Sequence, residues 1–130
     1  MHRNDATVFS YLIMREILGL SEAFMQIDII PAKELDRYIG IKEYEIIDLR
    51  DDEEYSQGHI KDACHINYDD EEKLLKLSRD KTYILYCDRG GASMITSRFM
   101  LKHGYKVKTV SGGILAYRGV NYVDTRNGLS

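Results

Sequence analysis

The sequence predicts an α/β domain built on a mainly parallel sheet. Three observations carry that expectation. Short apolar runs alternate along the chain with segments of helical spacing. Glycines and a proline punctuate the boundaries between them. The length, 130 residues with 44% hydrophobic and 30% charged side chains, suits one globular domain and little more.

Residues 1–24 place Phe9, Leu12, Ile13, Ile17 and Leu20 at helical spacing, with Asn4 or Asp5 available as a cap. The reading is an amphipathic helical extension, packed on the domain or pairing two copies as a homodimer. Met25 is an alternative start. The domain itself is assigned to residues 25–130. Gln26–Ile30 reads as a strand, and Pro31 suits the first turn of a helix whose apolar face is Ala32, Leu35 and Ile39. Gly40 ends it. Tyr44–Leu49 is a second strand, through Ile46 and Ile47. The polar run Arg50–Tyr55 is helix-compatible and closes at Gly58. Ala63–Ile66 is a third strand. Asp69 with Glu72 reads as a capping-box variant for a short helix through Leu74 and Leu77.

Tyr83–Tyr86 is an apolar, aromatic strand that runs into Cys87. Asp88-Arg89-Gly90-Gly91-Ala92 is too small and glycine-rich to extend it. Ser93 is available to cap a helix over Met94–His103, with Ile95 and Phe99 one turn apart and Gly104 as its stop. Val107–Val110 is a last strand, Ser111-Gly112-Gly113 turns into a short helix over Ile114–Arg118, and the tail after Gly119 is polar and loosely held.

Strand, cysteine, small loop, helix is an order with chemical content. Ligands of parallel sheets bind beyond the carboxyl ends of the strands, where Cys87 and Asp48 both fall. A glycine-rich loop turns successive N–H groups inward, and the following helix adds its unpartnered N–H groups and the positive end of its dipole. Such a ring favours the thiolate, the nucleophilic form, and would hold an arriving anion. Arg89, one residue beyond Asp88, faces either the pocket or solvent. Asp88 is read as exposed. Asp48, Arg50 and Glu54 form a salt-bridged brace under the loop. His59 is read as stabilising a turn rather than acting as a base on Cys87, and Cys64 as a buried thiol. Cys64, Cys87, His59, His65 and His103 show no CxxC or HxxxH spacing, so no metal is expected, and no cofactor. The net charge of -3 without a basic run argues against nucleic acid. No apolar run is long enough to span a bilayer. Two cysteines without a secretion signal point to reduced thiols and a cytoplasmic setting.

Cys87-Asp88-Arg89-Gly90-Gly91-Ala92-Ser93 resembles the Cys-x-x-Gly-x-x-Ser active-site loop of the rhodanese family. Asp48-Leu49-Arg50, Glu54, Gly58-His59-Ile60 and Ala63 resemble its Asp-x-Arg, Glu, Gly-His-Ile, Gly-Ala signature. Gly104-Tyr105, Val107 and Gly112-Gly113 resemble its ending. The three motifs stand in order across residues 26–119. The resemblance implies a five-stranded, mainly parallel sheet flanked by helices on both faces. It implies sulfur transfer through a persulfide on Cys87, cradled by the N–H groups of Asp88 to Ser93. The donor would be a small sulfur anion such as thiosulfate or a polysulfide, and the acceptor cyanide, a thiol or a sulfur-carrier protein. Departures are Asp62 where the family has glycine, Tyr117 for its tryptophan, and Thr96 and Ser97 for small alanines. Related phosphatases need an arginine where this chain has Ser93. The remaining alternative is a catalytically idle module that only binds partners.

Overall fold

The computed structural model describes residues 27–125. The expected N-terminal helix and its proposed dimer contact lie outside the described residues. Seven strands are formed: β1 (Asp28–Pro31), β2 (Tyr44–Asp48), β3 (Gly58–Ile60), β4 (Cys64–His65), β5 (Thr82–Tyr86), β6 (Lys106–Ser111) and β7 (Tyr122–Asp124). Three α-helices, α1 (Asp52–Gln57), α2 (Glu71–Leu74) and α3 (Gly91–Lys102), and 3₁₀ turns at Ala32–Tyr38 and Ile114–Ala116 connect them.

Five strands form one parallel sheet in the order β1-β6-β5-β2-β4, as expected. The strand that leads into Cys87 is its centre. Alternation along β5 shows why it belongs there. Ile84 and Tyr86 enter one core with Ile46, Leu35, Ile60 and Val110. Tyr83 and Leu85 enter the other with Ile47, Leu74, Met100 and Val107. Both faces are covered, the first by the 3₁₀ turn through Ala32 and Leu35, the second by α2 and α3. A strand buried on both faces reads as a continuous apolar run, which is what Tyr83–Tyr86 is.

Three expectations are corrected. The helix after β5 starts at Gly91, with Gly90 in the capping position, so Ser93 lies inside it and does not cap it. Its buried face is Ser93, Thr96, Ser97 and Met100, whereas Ile95 is 61% exposed. Small side chains let that helix lie close on the sheet, with Thr96 and Ser97 packed there as their size allows. The cap of α2 is Asp70, whose side chain accepts from Lys73 N at 3.1 Å, one residue later than Asp69. Residues 120–125, the described part of the tail after Gly119, are not loose: β7 pairs antiparallel with β3, which places His59 in a strand opposite Val123. Asp62, where the family has glycine, holds a left-handed φ of 64°, a conformation aspartate tolerates.

Candidate active site

Cys87 follows directly on the central strand and is 5% exposed. Its Sγ accepts from Gly90 N at 3.1 Å and from Ser93 N at 3.4 Å. The first donor comes from the loop and the second from the first turn of α3, so loop and helix terminus converge on one sulfur. Ser93 is fully buried, its hydroxyl donating to Gly90 O at 3.1 Å and accepting from Thr109 Oγ1 at 2.7 Å. It ties the loop to β6 and points away from any ligand above the thiol.

The loop is also held from the other side. Ile114 N donates to Cys87 O at 2.8 Å and Leu115 N to Asp88 O at 3.1 Å. Gly113, with φ of 61°, makes that approach possible: a Cβ there would collide with the carbonyl groups of Cys87 and Asp88. The Gly112-Gly113 pair is thus part of the cysteine loop's mounting.

Beneath the loop lies a buried polar junction. The Arg50 guanidinium grips Asp48, Nε to Oδ1 at 3.1 Å and Nη2 to Oδ2 at 2.8 Å, and its Nη2 reaches Gly58 O at 2.6 Å. Tyr86 Oη donates to Asp48 Oδ2 at 2.6 Å and accepts from Ile60 N at 3.0 Å. Burial opposes the Arg50 charge, but the hydrogen bonds and charge of Asp48 prevail and hold its pKa above the ordinary arginine value. Burial, then the charge of Asp48, pushes the Tyr86 phenol well above its ordinary value. The expected brace therefore exists as Asp48 and Arg50, with Tyr86 as the partner that sequence reading missed.

Glu54 is not part of it. It closes a capping box on α1, its N–H donating to Asp51 Oδ1 at 2.8 Å and its Oε1 accepting from Asp51 N at 3.4 Å. Burial first, then a side-chain hydrogen bond with Asp88, raises the Glu54 pKa. His59 stays apart from the thiol. Its ring stacks on Tyr55 at 3.9 Å, its Nδ1 lies 2.9 Å from Tyr55 O, and it does not line the cleft over Cys87.

That cleft has a volume of 670 Å³. Cys87, Asp88, Arg89, Gly91 and Ala92 form one side of it, and Arg50, Asp51, Glu54, Asn67, Tyr68 and Asp69 face them. Arg89 therefore borders the cleft, with its side chain exposed, and Asp88 is half-buried in its wall rather than out in solvent. Asn67, Tyr68 and Asp69 were not foreseen. They follow β4, and the rule that loops after parallel strands meet at one edge was the signal for them. Cys64 is half-buried rather than fully buried, and burial, followed by the charge of Glu45, pushes its thiol pKa up. Among the described residues, no group of three or more His, Cys, Asp or Glu side chains is arranged to hold a metal ion.

A parallel sheet whose central strand delivers one cysteine onto two converging backbone N–H groups defines a class: α/β domains with a thiol at the switch between strand and helix. Residues 31–119 match the model of the rhodanese-like domain, and the chain belongs to that family. The provisionally named sulfurtransferase YtwF of Bacillus subtilis is 38% identical over 79 residues, 60% of this chain and 77% of the relative. Thiosulfate sulfurtransferase GlpE of Pseudomonas paraeruginosa is 26% identical over 111 residues, 84% of this chain and 97% of its own length. The crystal structure of a rhodanese-like domain protein from Staphylococcus aureus superposes with a TM-score of 0.68 at 25% identity, over 76% of this chain and 99% of that one. The chain spans only 20% and 13% of two longer relatives named tRNA sulfurtransferase, from Desulfurococcus amylolyticus and Pyrobaculum aerophilum.

Proposed function

We propose that the protein is a sulfurtransferase that carries sulfane sulfur as a persulfide on Cys87. One observation carries the reading: the Cys87 sulfur receives two backbone N–H groups at the floor of an open cleft. The names of YtwF and GlpE support the same reaction class.

The thiolate attacks the outer sulfur of thiosulfate. A new S–S bond forms to Cys87, the old S–S bond breaks, and its electron pair leaves with sulfite. The terminal sulfur now carries the negative charge into the cleft, and the N–H groups of Gly90 and Ser93, which hold Sγ at 3.1 and 3.4 Å, stabilise the Cys87 thiolate as it attacks and as it later departs. A cyanide ion or an acceptor thiolate then attacks that sulfur, and Cys87 leaves as the thiolate it began as. Two covalent half-reactions on one residue give ping-pong kinetics. On this reading the partners are a small sulfane donor and a thiol, cyanide or a sulfur-carrier protein, with no nucleic acid or membrane involved. The setting is the cytoplasm, where both thiols stay reduced.

Phosphoryl transfer is disfavoured by Ser93. At the position where a phosphatase loop carries its arginine, this chain has a buried hydroxyl already engaged with Gly90 and Thr109. Incubation with thiosulfate followed by intact-mass measurement tests the proposal. The expected product is one added sulfur that cyanide removes and that Cys87→Ser abolishes. No adduct with thiosulfate or polysulfide would sink it and leave a partner-binding module.

A further inference from the structure

Four carboxylates line the cleft over Cys87: Asp51, Glu54, Asp69 and Asp88. Two arginines line it as well: Arg50, gripped by Asp48 at 2.8 Å and also within the field of Asp88, and Arg89, so the carboxylates outnumber the guanidinium groups. Glu54 and Asp88 also border a second cleft of 530 Å³, formed with Gln57, Leu115, Tyr117 and Arg118. They therefore stand in the wall between the two openings. Their placement is built rather than incidental. Glu54 is held by the capping box with Asp51, and the backbone of Asp88 by Leu115 N on its carbonyl. The Arg118 guanidinium donates to the carbonyls of Leu115 and Tyr117, on the side of the wall away from Cys87.

We propose that Glu54 and Asp88 act as a charge filter at the mouth of the Cys87 cleft, selecting sulfur donors and acceptors of low negative charge over dianions such as thiosulfate. The inference rests on the sulfur-transfer reading and specifies its substrate class. Thiosulfate brings two negative charges past a carboxylate-rich wall to a thiolate that is itself negative. A monoanionic thiosulfonate brings one, and a thiol bearing an ammonium group brings attraction. The chemistry at sulfur is unchanged: with methanethiosulfonate, the Cys87 thiolate takes the outer sulfur and methanesulfinate leaves with the electron pair. Burial, followed by the neighbouring Asp88, raises the Glu54 pKa, so the filter softens as pH falls and Glu54 takes up a proton.

The test compares persulfide formation on the full chain from thiosulfate and from methanethiosulfonate, as second-order rate constants. Discharge of the persulfide is then compared for cysteamine, 2-mercaptoethanol and mercaptoacetate. In the wild type, methanethiosulfonate outpaces thiosulfate, and cysteamine outpaces mercaptoacetate. Glu54→Gln keeps the capping box, because glutamine serves at that position. Asp88→Asn keeps the loop backbone. Each substitution narrows both preferences by about three- to tenfold, mainly by speeding the more anionic reagent. Added salt narrows them in the wild type and less in the variants. Arg89→Gln widens them. Preferences unchanged by Glu54→Gln, Asp88→Asn and salt, with persulfide still formed, would overturn the filter and leave the sulfur-transfer reading standing. Persulfide formed from neither donor would overturn both.

Discussion

Replacing Tyr86 by phenylalanine removes one oxygen from the junction under the cysteine loop, and its cost follows from what that oxygen does. It donates to a buried carboxylate at 2.6 Å and accepts the Ile60 N–H at 3.0 Å. The first is a hydrogen bond to a charged group, contributing about 1.5–3 kcal/mol. The second partner becomes an N–H orphaned beside a fully buried side chain, at a cost of about 1–3 kcal/mol. The phenylalanine ring fills the same space, so no cavity term adds. Relaxation recovers part of the sum, which leaves roughly 2–4 kcal/mol out of the 5–15 kcal/mol that holds a domain of this size. In urea, where slopes are about 1–3 kcal/mol/M, the midpoint falls by about 1–2 M with the slope unchanged. A cycle with Asp48→Asn isolates the contact, and its coupling energy should be about 1–3 kcal/mol. Because Tyr86 is the residue before Cys87, Tyr86→Phe should also slow sulfur loading at temperatures where the fold remains intact. A loss below about 1 kcal/mol, or additivity with Asp48→Asn, would refute the claim that this hydroxyl joins β5 to β2 and β3.

Other expectations follow from the same geometry. Burial raises the phenol pKa values of Tyr55, Tyr83, Tyr86 and Tyr117. Their stabilising effect is complete below the unfolded value of about 10 and is lost as pH rises toward the folded values, because the unfolded chain releases those protons first. Urea midpoints should therefore fall steeply above about pH 10, and Tyr86→Phe should flatten the decline. Ser97 has a fully buried hydroxyl without a hydrogen-bond partner. Ser97→Ala should leave the protein unchanged or stabilise it by up to about 2 kcal/mol, read by thermal melting, and a loss of stability would show that the hydroxyl is satisfied after all. Asp62 holds a left-handed conformation that a β-branched side chain resists. Asp62→Val should cost about 1–2 kcal/mol while Asp62→Gly costs nothing or stabilises, and the reverse order in denaturant melts would rule that conformation out.

The sheet was legible because its strands are short apolar runs with clear ends, and because a run such as Tyr83–Tyr86 has the composition of a strand covered on both faces. The cysteine loop was legible because glycines and a helix start in sequence imply converging N–H groups, and the structure aims two of them at Sγ. What escaped was whatever depends on distant partners. Tyr86 read only as a core aromatic, since its hydroxyl partners Asp48 and Ile60 lie 38 and 26 residues away. Glu54 looked like a partner for Arg50 because opposite charges four residues apart pair readily on helices. The capping box with Asp51 claimed it first. The strand Tyr122–Asp124 is too short to announce itself, and it exists through pairing with Gly58–Ile60.

The grip of Ile114 and Leu115 on the cysteine loop has a bearing on synthesis as well as on shape. Cys87 leaves the ribosome well before Gly113, so the nascent thiol waits for the segment that fixes its loop. β1 waits too, since its sheet neighbour is β6, with Asp28 opposite Lys108. The same late stretch of chain completes the sheet edge and seats the cysteine. A truncated chain ending before residue 112 lacks both the last contacts of the core and the backbone donors to Cys87 and Asp88. The seat of the Cys87 sulfur is thereby coupled to completion of the domain, and an unfinished chain lacks the donors that hold it there.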